Sequence, residues 1–326
     1  MLVIQDPFKQ TDLPVGGVAT IGNFDGLHVG HQEIIRGVVS KAKEIDAPSV
    51  VITFQPHPLA VVAPDRLPSQ ILTLAQKEEL IADLGADALI VIPFTQEFSR
   101  WRADTFARSF LHEKLRIREV RIGEDFCFGA GREGGLEFLQ KRGAELGFKA
   151  EGVKDIVRHG IRVSSSIVRR AVSRGRMRVT NLALGRTYFI DGAVATGRRL
   201  GRRIGVPTVN LEPENELFPD NGVYVTTCRL ESFARNFECV TNIGVRPTLY
   251  ENYATTIESH LLDFDANVYG DGIRLYFHKL LRREKQFRSA IELTSQIQKD
   301  IQDTREYFLK NPVESKAAPG APGGRP

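Results

Sequence analysis

Cysteine is scarce: three residues in 326, and Cys127, Cys228 and Cys239 form neither a CxxC pair nor an even set. That count argues against a disulfide framework and against a thiolate zinc site. No run approaches the ~20 apolar residues that a membrane span needs. The opening stretch MLVIQDPFKQTDLPVGG meets Asp, Lys and Pro too early for a secretory signal. A cytoplasmic protein without a membrane partner is therefore expected. Charge of one sign is also missing, since 44 basic minus 40 acidic side chains leaves only +4. Such a surplus suits anionic small molecules and nucleic acid equally well. The basic runs RGRMR (174–178) and GRRLGRR (197–203) lack the interleaved aromatic residues of a single-strand platform, so no nucleic-acid partner is expected. Composition leaves the oligomeric state open.

What is present is an ordinary globular balance, 42% hydrophobic and 26% charged, in a chain long enough for two domains at ~150 residues each. The first half alternates apolar, β-branched runs with helical patterns. Strands are predicted at 17–24, 49–54, 88–93 and 120–128, and helices at 31–45, 74–84, 103–115 and 136–146. Crossovers of this length imply a parallel sheet, hence a doubly wound α/β domain. After a short helical segment at 164–175 the pattern changes to strands at 188–194, 222–230, 237–243, 255–263 and 272–280, closed by a helix at 289–307. Strands without intervening helices predict an antiparallel sheet or small barrel. The boundary is expected near 181–186, giving domains at 1–180 and 181–310, and the Pro, Gly and Ala-rich tail 311–326 is expected to be disordered.

The segment GNFDGLHVGHQ (22–32) stands where the first predicted strand ends and a helix begins. In an open α/β sheet the ligand crevice lies beyond the strand C-termini, and a helix start there offers free N–H groups to phosphate. Gly22, Asn23, Phe24 and Asp25 form the turn, His28 and His31 are spaced to face one site, and Gly30 admits a close ligand. Two imidazoles so placed can stabilise an oxyanion developing on phosphorus. As metal ligands they would lack a third partner. Ser164, Ser165 and Ser166 precede a helix bearing Arg169, and hydroxyls, N–H groups and one guanidinium suit a triphosphate; a plain Ser cap is the alternative. Pro56 and Pro58 bracket His57 in a rigid turn that can wall a planar ring or be a turn only. Phe126 and Phe128 alternate, so one enters the core while the other is open to stack on a ring; Asp125 beside them can bond a ligand or shape its loop.

Three further patterns lead elsewhere. Gly129, Gly131 and Gly134 spell GxGxxG, with Asp155 about the right distance on, but the pattern begins at the fourth predicted strand and leaves both histidines unexplained. Residues 192–199 have Walker-like glycine spacing without the Lys and Ser/Thr. Asp263, Asp265 and Asn267 start like a calcium loop, yet Val268 and Arg274 occupy its glycine and glutamate positions. In the β-rich half, GRRLGRRIGVPTVN (197–210) joins Gly197, Gly201 and Gly205 with four arginines, then offers Thr208 and Asn210, whose oxygens are hard ligands suited to Mg²⁺. Without the PTVN that follows, the arginines would read as a solvated basic loop.

Taken together, GNFDGLHVGHQ, TFQPHP (53–58), PFTQEFS (93–99), VRIGEDFCFG (120–129), VSSSIVRR (163–170), GVPTVN (205–210), NGVYV, TNIGVRPT and IESHLLDF resemble the prokaryotic bifunctional riboflavin kinase/FMN adenylyltransferase family, also called FAD synthetase. The resemblance spans nearly the whole ordered chain. It implies a Rossmann-like nucleotidyltransferase domain followed by a β-barrel kinase domain with a C-terminal helix. It further implies ATP, riboflavin, FMN and FAD as substrates or products, with Mg²⁺ as cofactor. On this resemblance His28, His31 and Arg169 act in adenylyl transfer, and Gly22, Asn23, Phe24, Asp25, Gly30, Ser164, Ser165 and Ser166 bind nucleotide. Pro56, Pro58, Asp125, Phe128 and Arg288 contact flavin. Gly197, Gly201 and Gly205 belong to a phosphate flap, Thr208 and Asn210 hold Mg-ATP, and Glu258 accepts the ribityl hydroxyl proton. Two departures stand out: Ser166 replaces the usual Thr and keeps the hydroxyl, and Val62 replaces an aromatic residue and cannot stack. A nucleotidyltransferase for another phosphate-bearing substrate is the alternative, disfavoured by PTVN and Glu258.

Overall fold

The structure is a computed structural model that describes residues 1–158, 160–195, 206–247 and 253–312. Gly197, Gly201 and Gly205, the arginines around them and the tail beyond 312 lie outside these residues. The chain divides into two compact units, Met1–Ser165 and Ser166–Pro326.

In the first unit β1 (Leu2–Gln5), β2 (Val18–Ile21), β3 (Ser49–Gln55), β4 (Ala88–Pro93), β5 (Glu119–Gly123) and β6 (Lys149–Val153) form one sheet in the order β1-β4-β3-β2-β5-β6. Every pairing in it is parallel. The inner strands are buried on both faces, as the unbroken apolar runs of β2, β3 and β4 require. The strands alternate with α1 (Val29–Glu44), α2 (Pro58–Val62), α3 (Leu74–Asp83), α4 (Ala103–Thr105) and α5 (Leu136–Leu146). A Thr73–Gln76 capping box starts α3. From Phe106 to Lys114 the α4 segment widens into π-helical turns, with the Leu115 N–H reaching back to the Phe110 carbonyl. An antiparallel ribbon, β7 (Val157–Arg158) and β8 (Ile161–Arg162), follows.

β2 lies between β3 and β5, so the connections leaving it and arriving at β5 run to opposite sides. The C-terminal end of β2 is therefore the topological switch point of the sheet, where open α/β folds bind ligands. Residues 22–28 leave the sheet there.

The second unit starts with α6 (Ser165–Val172), whose first residue still belongs to the first unit, and α7 (Met177–Leu184). Residues 181–186, where the sequence places the boundary, fall at the end of α7 and in the turn after it. Then β9 (Tyr188–Ala195), β10 (Val209–Pro213), β11 (Gly222–Leu230), β12 (Asn236–Pro247), β13 (Tyr253–Leu261) and β14 (Gly272–Arg283) close an antiparallel barrel in the order β10-β13-β12-β11-β14-β9. Buried hydroxyls run across three of these strands: Thr226 and Thr241 oxygens lie 2.6 Å apart, and Thr241 and Ser259 oxygens also 2.6 Å. The last helix, α8 (Ala290–Lys310), is capped by Ser289 and buries Asp300, Thr304 and Phe308, one face at i, i+4 and i+8. Beneath it Val223, Val240 and Leu262 form an apolar cluster with Ile301 packed on top.

Candidate functional sites

At the switch point the Gly22 N–H donates to the Ile52 carbonyl, holding the chain to β3 for one more residue. The turn that follows is pinned from several sides. The Asn23 carbonyl accepts from Lys77 Nζ at 2.8 Å and from Thr53 Oγ1 at 3.3 Å. Asn23 Nδ2 lies 3.3 Å from His57 Nε2. Phe24, at φ +48° and buried, sets its ring against Gly22 and edge-on to His31. A Cβ on Gly26 would meet Ile71 Cδ1 at 2.8 Å, and its φ of +78° favours glycine in any case.

Asp25 is buried, and its carboxylate accepts from the Ile71 and Leu72 N–H groups at 3.0–3.2 Å. Its backbone oxygen accepts from Ser165 Oγ at 2.9 Å. Asp25 therefore staples the turn to the start of α3, a role that spacing alone did not disclose.

His28 caps α1, its Nδ1 accepting from the His31 N–H at 3.4 Å. The two imidazoles stack with centroids 3.6 Å apart and planes 19° from parallel. His31 Nδ1 is buried and has no hydrogen-bond partner in the structure. Burial, followed by the positive charges of His28 and Lys77, pushes the His31 pKa well below the ordinary imidazole value. Near neutral pH His31 is then an uncharged imidazole with one N–H to donate. Gly30 leaves the stack its room: a Cβ there would sit 3.2 Å from both Cε1 and Nδ1 of His28, so the ring would have to give by a few tenths of an ångström.

The remaining first-unit candidates are spread around this core. His57 caps α2 between Pro56 and Pro58, and Val62 at the end of that helix is 54% exposed. Asp125 pairs with Arg162, which also contacts Asp155 at 2.5 Å. Phe128 goes to the core, packed on Phe106 and Phe138, while the half-buried Phe126 lies nearly parallel to it at 6.1 Å. The expected strand over 120–128 stops at Gly123, where the Phe126 N–H folds back onto the Gly123 carbonyl. The GxGxxG glycines have a packing explanation: Cβ atoms on Gly129 and Gly134 would strike Ala103 at 2.6–2.7 Å. Ser164 precedes α6, and Ser166 and Arg169 lie on it in the second unit.

In the second unit a cavity of about 920 Å³ opens between the barrel and α8. Thr208, Asn242, Glu258 and Arg282 line it from the barrel, and Ile297 and Asp300 from the helix. Asn210 pairs with Glu258 across β10 and β13, and Asn242 pairs with Glu258 from the other side, so the three residues form one cross-strand row. The volume is that of a small-molecule site, largely apolar with a few convergent polar groups. Arg282 grips Asp300 through contacts of 2.8–3.1 Å, and Gln296 donates to the same carboxylate. Arg288, exposed, follows the lining residues Lys285, Gln286 and Phe287 at the approach to α8, its N–H bonded to Glu292.

Sequence reading missed Lys77, Asn242 and the Arg282–Asp300 pair. Lys77 had a signal: it shares the buried face of α3 with Ile81, four residues on, where a lysine is out of place. The Arg282–Asp300 pair had none, because its members meet only when α8 docks.

Family comparison agrees with this architecture. A family model described as FAD synthetase matches residues 11–167, and one described as riboflavin kinase matches residues 184–308. The chain is 36% identical over 293 residues to the bifunctional riboflavin kinase/FMN adenylyltransferase of Escherichia coli K12, covering 90% of this chain and 93% of that one. It is 35% identical to the Pseudomonas fluorescens protein of the same description, with 89% and 92% covered. A crystal structure described as a macrolide-efflux protein from Streptococcus pneumoniae superimposes with a TM-score of 0.85 at 25% identity, over 94% of this chain and 99% of that one. That description is that protein's own; among the described residues here no helix is long and apolar enough to cross a membrane. With two family models in tandem and relatives matched end to end, the chain belongs to the bifunctional riboflavin kinase/FMN adenylyltransferase family.

Proposed function

We infer that the chain makes FMN from riboflavin and then FAD from FMN, using one ATP at each step. The observation that carries this reading is the presence of two separately built sites, one in each family-matched half: the stacked histidines at the switch point and the Glu258 row beside the barrel cavity.

In the kinase half the ribityl hydroxyl oxygen attacks the γ-phosphorus of ATP, the bond from that phosphorus to the bridging oxygen breaks, and ADP leaves. Glu258 orients the hydroxyl and takes its proton. A carboxylate is a weak base, but the loose transition state of phosphoryl transfer depends more on positioning and charge neutralisation than on base strength. Thr208 and Asn210 carry neutral hard oxygens beside this site, which fits Mg²⁺ held mainly by ATP phosphates and water rather than by a cage of carboxylates. When bound there, the ion neutralises phosphate charge. The flap glycines Gly197, Gly201 and Gly205 and Arg288 complete the proposed substrate contacts.

In the adenylyltransferase half an FMN phosphate oxygen attacks the α-phosphorus of a second ATP, and pyrophosphate leaves. The nucleophile is already an anion, so no base and no covalent enzyme intermediate are needed. His28, His31 and Arg169 stabilise charge on the transferring group, while the turn 22–25, Gly30 and Ser164–166 receive nucleotide. Pro56, Pro58 and Asp125 are assigned to flavin, with the half-buried Phe126, rather than the core residue Phe128, left to meet the ring and Val62 offering only an aliphatic contact. Domains at 1–180 and 181–310 and a cytoplasmic location belong to the same proposal.

Separate assays test the division. Glu258→Gln should lower FMN formation by roughly 100-fold or more while FAD formation from supplied FMN continues. The double change His28→Ala with His31→Ala should do the reverse by a similar factor. If either variant removed both activities equally, the two-site assignment would be wrong.

A further inference from the structure

We propose that Lys77 is a positioning residue of the adenylyl-transfer site: its ammonium, buried behind the 22–26 turn, fixes the turn and sets a positive charge beneath the phosphate crevice. Lys77 is only 6% exposed, yet it sits on α3, outside the motif that carries the histidines. A buried lysine without a defined task is costly, since desolvation of an ammonium far exceeds what its methylenes gain. Here Nζ donates to the Asn23 carbonyl at 2.8 Å, and Thr53 donates to the same oxygen. Asp25, two residues on, is anchored to α3 by the Ile71 and Leu72 N–H groups. The turn is thus held on one side by Lys77 and on the other by its own carboxylate, both through α3 and the segment leading into it. Rotating the peptide after Asn23 would break both the ammonium contact and the Thr53 hydroxyl contact.

The charge reaches further than the hydrogen bond. Burial lowers the Lys77 pKa, and the neighbouring Asp25 carboxylate opposes that fall. The ammonium in turn contributes to the low His31 pKa, after burial and His28. The groups that bear on Lys77 and His31 are thus Asp25 from the turn and His28 from the start of α1. A positive charge so placed favours the neutral, N–H-donating form of His31 and attracts the polyanionic substrate to the same spot.

This inference rests on the first unit being the adenylyltransferase, and its test separates the two claims. Lys77→Met and Lys77→Arg are made in the full chain. FAD formation from FMN, FMN formation from riboflavin, and the His31 imidazole titration by NMR are followed for each. Lys77→Met should lower kcat for FAD formation at least tenfold with a smaller change in the KM for FMN, leave FMN formation within twofold of wild type, and move the His31 titration to higher pH. Lys77→Arg, retaining the charge, should keep the His31 titration near its wild-type position and recover part of kcat. A residue that served only folding would lower the folded fraction without moving the His31 titration in the folded molecules, and that result overturns the proposal. So does unchanged FAD formation in Lys77→Met. Should wild type make no FAD while Lys77→Met still shifts His31, the adenylyltransferase reading fails and the electrostatic link stands.

Discussion

Replacing Asp300 by Ala should detach α8 from the barrel and with it one wall of the cavity between them. Asp300 is 4% exposed and Arg282 22%, and the guanidinium meets the carboxylate through Nε and Nη2 at 2.8–3.1 Å. Removing one member of a buried pair costs ~3–5 kcal/mol, because the other is left desolvated without a counter-charge. Arg282 borders an open cavity and can be partly rehydrated, so the lower end, about 3 kcal/mol, applies. If the whole cost falls on docking of the helix, apparent riboflavin affinity drops by about two decades, at ~1.4 kcal/mol per tenfold. The unfolding transition of the barrel unit should fall by roughly 6–12 °C. Calorimetry and the riboflavin KM measure these, and FAD formation from supplied FMN serves as the internal control. The pair Arg282→Met with Asp300→Leu should recover most of the lost stability, since it removes both charges. Asp300→Ala within 0.5 kcal/mol of wild type, or a double variant less stable than the single one, would falsify the reasoning.

Two further outcomes follow from single contacts. His278 accepts or donates a 3.0 Å bond with Thr227 and packs edge-on against Phe308, and burial lowers its pKa to about 4. The folded state then refuses a proton that the unfolded state takes at about 6.5. Stability is nearly undiminished at pH 7 and falls as the pH drops through 6.5 toward 4, by about 2 kcal/mol between pH 7 and 5; urea titrations at pH 7 and pH 5 should show this slope, and His278→Asn should flatten it. Gly30→Ala places a methyl 3.2 Å from the His28 ring, so FAD formation should drop about tenfold or more from a displaced imidazole, with FMN formation unchanged; equal rates in the two proteins would show that the stack tolerates movement.

The doubly wound half was legible because its central strands are buried on both faces and its helices are periodic. Residues 88–93 and 136–146 match the observed elements end for end. The flanking strands were not: β1 buries only Ile4 and β6 only Ala150, so neither shows a pattern that stands out from a loop. β10 was absorbed into the phosphate flap, since five residues ending in Pro213 offer little alternation. At the sites, sequence order brought the histidines to one helix start, and their stacking follows from the cap geometry. It could not disclose that Asp25 turns inward to the segment before α3, or that Asn242 joins Glu258, because both depend on pairing between residues that are distant in sequence, 46 and 16 positions apart. Phe126 and Phe128 alternate identically on paper; only packing against Phe106 and Phe138 gives Phe128 to the core.

The closed barrel has a mechanical consequence for the cavity beside it. Each of its six strands is hydrogen-bonded on both sides, so the sheet has no free rim on which α8 could hang by its backbone. Among the described residues the helix is fastened by side chains: the Arg282–Asp300 grip, the Arg305–Asp263 pair, the apolar contact at Ile301 and the rings of Tyr307 and Phe308 against His278. Opening that wall therefore leaves every barrel hydrogen bond intact and costs a small part of what unfolding the barrel costs. Amide exchange should register the difference as two tiers, with the α8 amides exchanging through a shallow local opening and those of β11 and β12 only through global unfolding.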